Sequence, residues 1–280
     1  MKSNWLNKHL GKVWLALVFL FLYAPLAFMI LFSFNSTRQH ATFTGFSLRW
    51  YEALLADTRI VEGFIVSLQV AFVTGLLAAV LGTFAAFVLV RYKHFWGRTV
   101  FSGMAVAPMV MPEVIIGLSL LLLMVGSFNL FGGPERGLIT IIIGHTLFGM
   151  AFAMVVVQSR LQEVDRSIEE AAMDLGARPH QVFFLVTLPN IAPAILAAFL
   201  LAFTLSFDDV VITLFLSGPG VSTLPQVIFN YAVRGINPTI YAAATLLILT
   251  VTTFVVTYAF WVLHSTRKRQ REMAEALRGA

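Results

Sequence analysis

The stretch Ser167–Pro189, SIEEAAMDLGARPHQVFFLVTLP, is the longest structured polar interval between two apolar runs of the chain. Ser167 and Glu170 have the S-x-x-E spacing of a capping box, which predicts that a helix begins there with reciprocal side-chain caps. Ala171, Ala172, Met173 and Leu175 are strong helix formers. Gly176 stands where a left-handed residue ends a helix, and Pro179 suits the first turn of a second one. The apolar VFFLV core of that second helix is expected to stop before Pro189. The predicted unit is a short helix, a tight turn and another short helix. Two readings of it stay open: a surface anchor for the flanking segments, or an element that docks into a groove on another protein.

On both sides of this interval the chain is apolar. Of 280 residues, 59% are hydrophobic and only 12% charged, against about 25% charged in soluble domains. Six segments reach the roughly 20 apolar residues that a bilayer core of about 30 Å requires: Val13–Phe34, Ser67–Val90, Thr99–Val125, Leu138–Gln158, Ile191–Leu216 and Ile240–Leu263. Alternating strand-length patterns are absent, so helices must satisfy the backbone in lipid. The expectation is an all-α integral membrane protein with six transmembrane helices. Lys2, Lys8 and Lys12 before the first segment resemble a signal peptide's basic start. The apolar run that follows is too long for a cleaved core of about 7–15 residues and lacks a small-x-small cleavage site, so a retained helix is expected. Cysteine is absent, which excludes disulfides, thiolate metal sites and a cysteine nucleophile.

With six spans both termini share one side. Fourteen Lys and Arg residues fall on the side of the termini, the second loop and the fourth loop, and five on the other. Basic residues are retained inside, so the termini, a loop at 159–189 and a basic tail at 264–280 are expected in the cytoplasm, around a single transmembrane domain spanning 1–280. The excess positive charge reflects this topology and contact with lipid headgroups. No soluble basic domain exists to bind nucleic acid.

Three carboxylates lie inside apolar segments: Glu113, Asp208 and Asp209. Each costs roughly 2.5–3.5 kcal/mol at a helix centre and is expected to face a cavity or a partner. Counting outward from Thr99 puts Glu113 ~21 Å along its helix, and from Ile191 puts Asp208 ~25 Å along, at 1.5 Å per residue. Converging acids at one depth suit a station for a cation. Thr204, one turn before Asp208, would line the same stripe. Adjacent helical residues point about 100° apart, so Asp209 either faces the pathway separately or caps a restarted helix at VVITLF. Pro108 and Pro112 are expected to kink or unwind the third segment just before Glu113. Tyr23, in the first segment, is either a pathway aromatic that stacks on a cation or an ordinary packed residue. His145, isolated in the fourth segment, reads as a packed, hydrogen-bonded side chain, and no metal site is assigned.

The motif EAAMDLGARPHQVFFLVTLP resembles the EAA loop of bacterial ABC-importer permeases: EAA, three residues, Gly, nine residues, Ile, one residue, Leu-Pro. Glu170, Ala171, Ala172, Gly176, Leu188 and Pro189 match, and Val186 stands where Ile is usual. The resemblance implies a type I importer permease architecture and a coupling helix seated in a cleft of a cytoplasmic ATPase. Glu170, Ala171, Ala172, Asp174, Gly176, Leu188 and Pro189 would be the coupling residues. No G-x-x-x-x-G-K-[ST] is present, so nucleotide phosphates are not cradled here; ATP and Mg would belong to the partner.

Further stretches, LYAPLAFMILFSFNSTR, GFSLRWYEALL, LAFTLSFDDVVITLFLSGPG and INPTIYAAATLL, are similar to the second permease subunit of spermidine/putrescine importers. That likeness implies a heterodimer with a homologous permease, an ATPase homodimer, a periplasmic substrate-binding protein and a place in the bacterial inner membrane. It equally admits an opine, an amino-acid-like solute or another cation. The rival classes lack their signatures. A stand-alone secondary transporter usually shows repeated discontinuous halves, and an intramembrane hydrolase needs G-x-S-x-G or H-E-x-x-H.

Overall fold

The computed structural model describes residues 3–38, 42–92, 94–235, 238–250, 252–253, 256–257 and 260. Their regular elements are helical: α1 (Ser3–Ser33), α2 (Arg49–Ala56), α3 (Thr58–Arg91), α4 (Arg98–Val110), α5 (Glu113–Phe131), α6 (Leu138–Glu163), α7 (Arg166–Asp174), α8 (Pro179–Val182), a π turn (Phe183–Thr187), α9 (Leu188–Asp208), α10 (Val211–Leu216) and α11 (Leu224–Val233), with α12 at Pro238–Thr250. Five helices are long and apolar enough to cross a membrane: His9–Ser33, Thr58–Arg91, Glu113–Phe131, Leu138–Glu163 and Pro179–Asp208. The chain is a multi-pass membrane protein. The sixth expected span, Ile240–Leu263, is represented by α12; most of its remainder and the expected tail at 264–280 lie outside the described residues.

Contacts divide the chain into two units, Thr58–Asn230 and a second drawn from Met1–Asp57 and Tyr231–Ala280. In the larger unit α3, α6 and α9 pack together, and small residues set how closely. Ala78, Ala86, Ala153, Ala198 and Ala202 are fully buried. Lipid tails are as apolar as leucine, so helices in a membrane are held by close van der Waals approach, which small side chains permit. Between α3 and α6 the backbone of one helix meets the other at Gly82, where an added Cβ would stand 2.7 Å from the Met154 backbone nitrogen and 2.9 Å from the Ala153 Cβ. Backbone cannot yield as a side-chain tip can. Gly82→Ala is therefore expected to lower the stability of the purified protein by about 1–3 kcal/mol, the usual range for overpacking, read as an earlier thermal unfolding transition in detergent.

A second cluster joins α5, α6 and α10: Ile116, Leu120, Met124, Ile141, Phe148, Ile212 and Leu216. Gly144 leaves room for Leu216, and Gly117 for the Phe215 ring. The buried Thr140 hydroxyl donates to the Leu216 carbonyl at 2.9 Å.

The third and fifth expected spans are not continuous helices. After Val110 the backbone is extended at Met111 (φ −77°, ψ 138°) and Pro112 (φ −56°, ψ 133°), and α5 restarts at Glu113. Proline biases its predecessor away from the helical region, which fits the extended Met111 before Pro112; Pro108 stays inside α4. Within the fifth expected span, Ile191–Leu216, α9 stops at Asp208, Asp209 is extended (φ −65°, ψ 129°) and the helix restarts as α10, as the capping reading of VVITLF expects.

The second unit is built around α1 and the cap that follows it. Asn35 is buried, and its carboxamide donates to the Thr42 carbonyl at 2.9 Å and accepts from the Thr44 amide at 2.9 Å. The Trp50 indole donates to the Asn35 carbonyl at 2.6 Å, and Arg49 lies over the Trp50 ring at 4.4 Å. The polar-aromatic segment 35–62 thus holds a knitted turn and the helix α2, where SLRWYEALL has helical period.

Candidate functional site

Two regions of the larger unit carry the residues singled out from sequence. The first is the polar hairpin that precedes α9. Its first helix ends as expected: Gly176 has φ +90°, the Ala177 amide reaches the Ala172 carbonyl at 3.1 Å, and the Gly176 amide reaches Met173 at 2.9 Å. These are the two bonds of a Schellman closure. Its beginning differs from expectation. The helix starts at Arg166, and Asp165 caps it by accepting the Ser167 amide at 2.9 Å. That bond holds the Asp165 carboxyl below the ordinary carboxylate range. An ionised carboxylate is a stronger acceptor than a hydroxyl, so it takes the cap position two residues before Ser167. Glu170 points outward instead and pairs with Arg166 at 3.3 Å across one turn.

The second helix starts at Pro179 as expected, with the Arg178 amide donating to the Gln181 side chain at 2.8 Å. It does not stop before Pro189. The helix runs without interruption from Pro179 to Asp208, passing Pro189 by way of the π turn, in which the Leu188 amide bonds the Phe183 carbonyl five residues back. Proline lacks an N–H and its ring collides with the carbonyl four residues earlier; one widened turn absorbs that mismatch.

What fastens the hairpin is Glu169, which the motif comparison passes over. It is buried, accepts from the Arg91 guanidinium at 2.7 Å and from the Thr187 hydroxyl at 2.8 Å. One carboxylate therefore joins the end of α3, the first hairpin helix and the π turn. Phe183 adds an edge-on contact with Phe87 of α3, ring centroids 4.9 Å apart. Glu170, Ala171, Asp174 and Gly176 remain exposed, beside Leu175, which is 91% exposed. A helix whose neighbour carboxylate is locked inward presents these residues as one outward face. The signal for Glu169 was available only as an acidic pair; which member is buried depends on Arg91, far away in the chain.

The second region is formed where α5 begins and α9 ends. Glu113 opens α5, half-buried, and Asp208 closes α9, exposed. Neither carboxylate pairs with a basic side chain among the described residues. α5 packs against α10, the helix that follows Asp208 after the break. Asp208 also sits where α9 presents its last free carbonyls, the negative end of the helix dipole. Thr204, one turn earlier, is exposed and donates to the Leu200 carbonyl at 2.8 Å. Tyr23 belongs to the other unit, on α1, 59% exposed and stacked on Phe19 at 5.9 Å.

Asp209 is built in differently. Its side chain is only 6% exposed; it accepts the Thr213 amide at 3.0 Å, capping α10, and lies 3.2 Å from His145 Nε2. His145 reaches further: Nδ1 is 2.7 Å from the Ser206 hydroxyl of α9 and Nε2 is 3.1 Å from the Thr213 hydroxyl of α10. The packed histidine expected from sequence thus has a defined job, holding both sides of the break to α6. Ser206 and Thr213 carry no sequence signal of this role, because a hydroxyl in an apolar helix most often bonds its own backbone.

Residues 78–269 match the family described as binding-protein-dependent transport system inner membrane component. The chain is 48% identical over 268 residues, 95% of each sequence, to the "Putrescine transport system permease protein PotI" of Escherichia coli (strain K12). It is 34% identical over 240 residues, 86% of this chain and 91% of the relative, to the "Spermidine/putrescine transport system permease protein PotC" of Haemophilus influenzae. Among solved structures, a bacterial ABC transporter involved in the import of alginate aligns with TM-score 0.72 over 92% of this chain and 94% of the other, at 15% identity, a likeness of fold.

Proposed function

The chain belongs to the binding-protein-dependent transport system inner membrane component family, and from that premise we propose that it forms half of the pathway by which an ATP-driven importer takes up polyamines, putrescine foremost. The observation that carries the substrate class is the pair Glu113 and Asp208: two carboxylates at interruptions of membrane helices, with no basic partner among the described residues. Carboxylates left unpaired in a membrane are costly, and a passing dication supplies the missing charges. The broken helices agree with this, since transporters place ion and substrate contacts where half-helices end. The name of the relative at 48% identity supports putrescine as the solute.

The exposed face of Glu170, Ala171, Asp174 and Leu175 is the docking surface for a separate ATPase homodimer, which binds ATP and Mg. A homologous permease completes the pathway, a periplasmic binding protein delivers the solute, and the bacterial inner membrane houses the complex with both termini in the cytoplasm.

The test is uptake of radiolabelled putrescine into proteoliposomes holding the complete complex, driven by ATP and competed by unlabelled solutes. Saturable uptake that spermidine competes and neutral 1,4-butanediol does not is the expected result. Equal competition by the diol would remove the cation reading. For the docking surface, Glu170→Ala is expected to leave folding within about 0.5 kcal/mol, as exposed positions usually do, while lowering ATP hydrolysis stimulated by the loaded binding protein. Unchanged stimulation would return this face to a plain solvent role.

A further inference from the structure

We propose that His145 is the positioning residue of the acidic station, setting the separation of the Asp208 and Glu113 carboxylates and with it the length of dication that the pathway prefers; this rests on the polyamine reading above. The break after Asp208 leaves two short helical ends that nothing in the covalent chain holds in register. His145, buried at 3% exposure on α6, reaches both: Ser206, two residues before Asp208, at 2.7 Å, and Thr213, in the first turn of α10, at 3.1 Å. The same Nε2 engages Asp209 at 3.2 Å. Asp209 is thereby engaged in structure, accepting from His145 and from the Thr213 amide, while Asp208 beside it stays exposed.

Further contacts hold α6 to α10 near the imidazole. Gly144, adjacent in sequence, lets Leu216 of α10 pack closely on α6, and the Thr140 hydroxyl, about one turn from Gly144, ties the Leu216 carbonyl at 2.9 Å. On the other side of the station, Glu113 is placed by the extended Met111–Pro112 link and by Ile116 and Gly117 packing near α10. Both carboxylates are therefore referred to one frame, α6 with α10, and the imidazole is the part of that frame that also holds α9. A site that holds two charges at a fixed distance discriminates by the spacer between them, because a misplaced ammonium forfeits a charge-assisted contact.

The experiment is KM for uptake of diamines with three, four and five methylene groups, measured on the complete complex in proteoliposomes for wild type, His145→Gln and Ser206→Ala. Wild type is expected to prefer one spacer. His145→Gln should flatten the series, raising KM for the preferred diamine about tenfold, the equivalent of one lost charge-assisted contact, with little change for the others. Ser206→Ala, which cuts one strap and keeps the Asp209 contact, should flatten it partly and guards against a folding defect in the histidine variant. A spacer profile that stays sharp while only the amount of active complex falls would overturn the proposal and leave the polyamine reading intact. Absence of any diamine uptake by the wild type would overturn both.

Discussion

Replacing Asp208 by Asn, or Glu113 by Gln, raises KM for putrescine uptake roughly tenfold to a hundredfold in each case. The substitutions keep shape and remove only charge. Hydrogen bonds to charged groups contribute about 1.5–3 kcal/mol, and every 1.4 kcal/mol is a factor of ten. The loss should be this large because neither acid has a competing basic partner among the described residues, so nothing in the protein offsets a missing carboxylate toward a cation. Asp208 gains further from its place at the carbonyl end of α9, where the helix dipole already favours positive charge. Asp209→Asn should behave otherwise. Its amide oxygen can still accept from Thr213, and the side chain is enclosed at 6% exposure, so the effect falls on stability and not on KM. Equal KM changes at Asp208 and Asp209 would mean that the two acids are not divided between substrate and structure.

Glu169→Ala is expected to destabilise the protein by about 3 kcal/mol and to uncouple ATP hydrolysis from uptake. Removing one partner of a wholly buried ion pair costs about 3–5 kcal/mol because the other charge is stranded. The lower end applies, since the Arg91 and Glu169 side chains keep 12% and 9% of their surface exposed. The Thr187 hydroxyl, buried at 1% exposure, also loses the carboxylate it donates to. Without this carboxylate the hairpin keeps its own turn but loses its polar tie to α3 and to the π turn. Force applied to its outward face would then bend the hairpin before it moved the membrane helices. Thermal unfolding of the purified complex, together with the ratio of solute imported to ATP hydrolysed, measures both consequences. Arg91→Met with Glu169→Met should restore much of the stability, because no buried charge is left alone, without restoring coupling. If Glu169→Ala unfolds at the wild-type temperature and transports at the wild-type ratio, the tie has no mechanical role.

Features governed by neighbouring residues were legible without coordinates. The hairpin's glycine closure at Gly176 and its restart at Pro179 follow from backbone stereochemistry within a few residues. So does the unwinding before Glu113, since the pyrrolidine ring acts directly on Met111. Local reading failed where a local device met a stronger one. Ser167 has capping-box spacing, yet Asp165 supplies a better acceptor and takes the cap. Pro189 is a sound stop signal, yet a π turn carries the helix through it, because the flanking apolar residues gain more from continuing into the membrane than one widened turn costs.

The amino-acid sequence by itself determined that this is a helical membrane protein with a polar hairpin and three acids in apolar surroundings. Hydropathy over a bilayer's width and the φ limits of glycine and proline are properties of short stretches, and no distant residue alters them. Only the tertiary structure decided which acid of each adjacent pair faces inward. Glu169 is buried and Glu170 exposed, Asp209 enclosed and Asp208 open. Glu169 and Glu170 are helical neighbours that point about 100° apart, and the ion pair with Arg91 selects the inward one. Asp208 and Asp209 stand on the two sides of the helix break, and His145 holds Asp209; Arg91 and His145 are each brought into place by helices packed from distant parts of the chain.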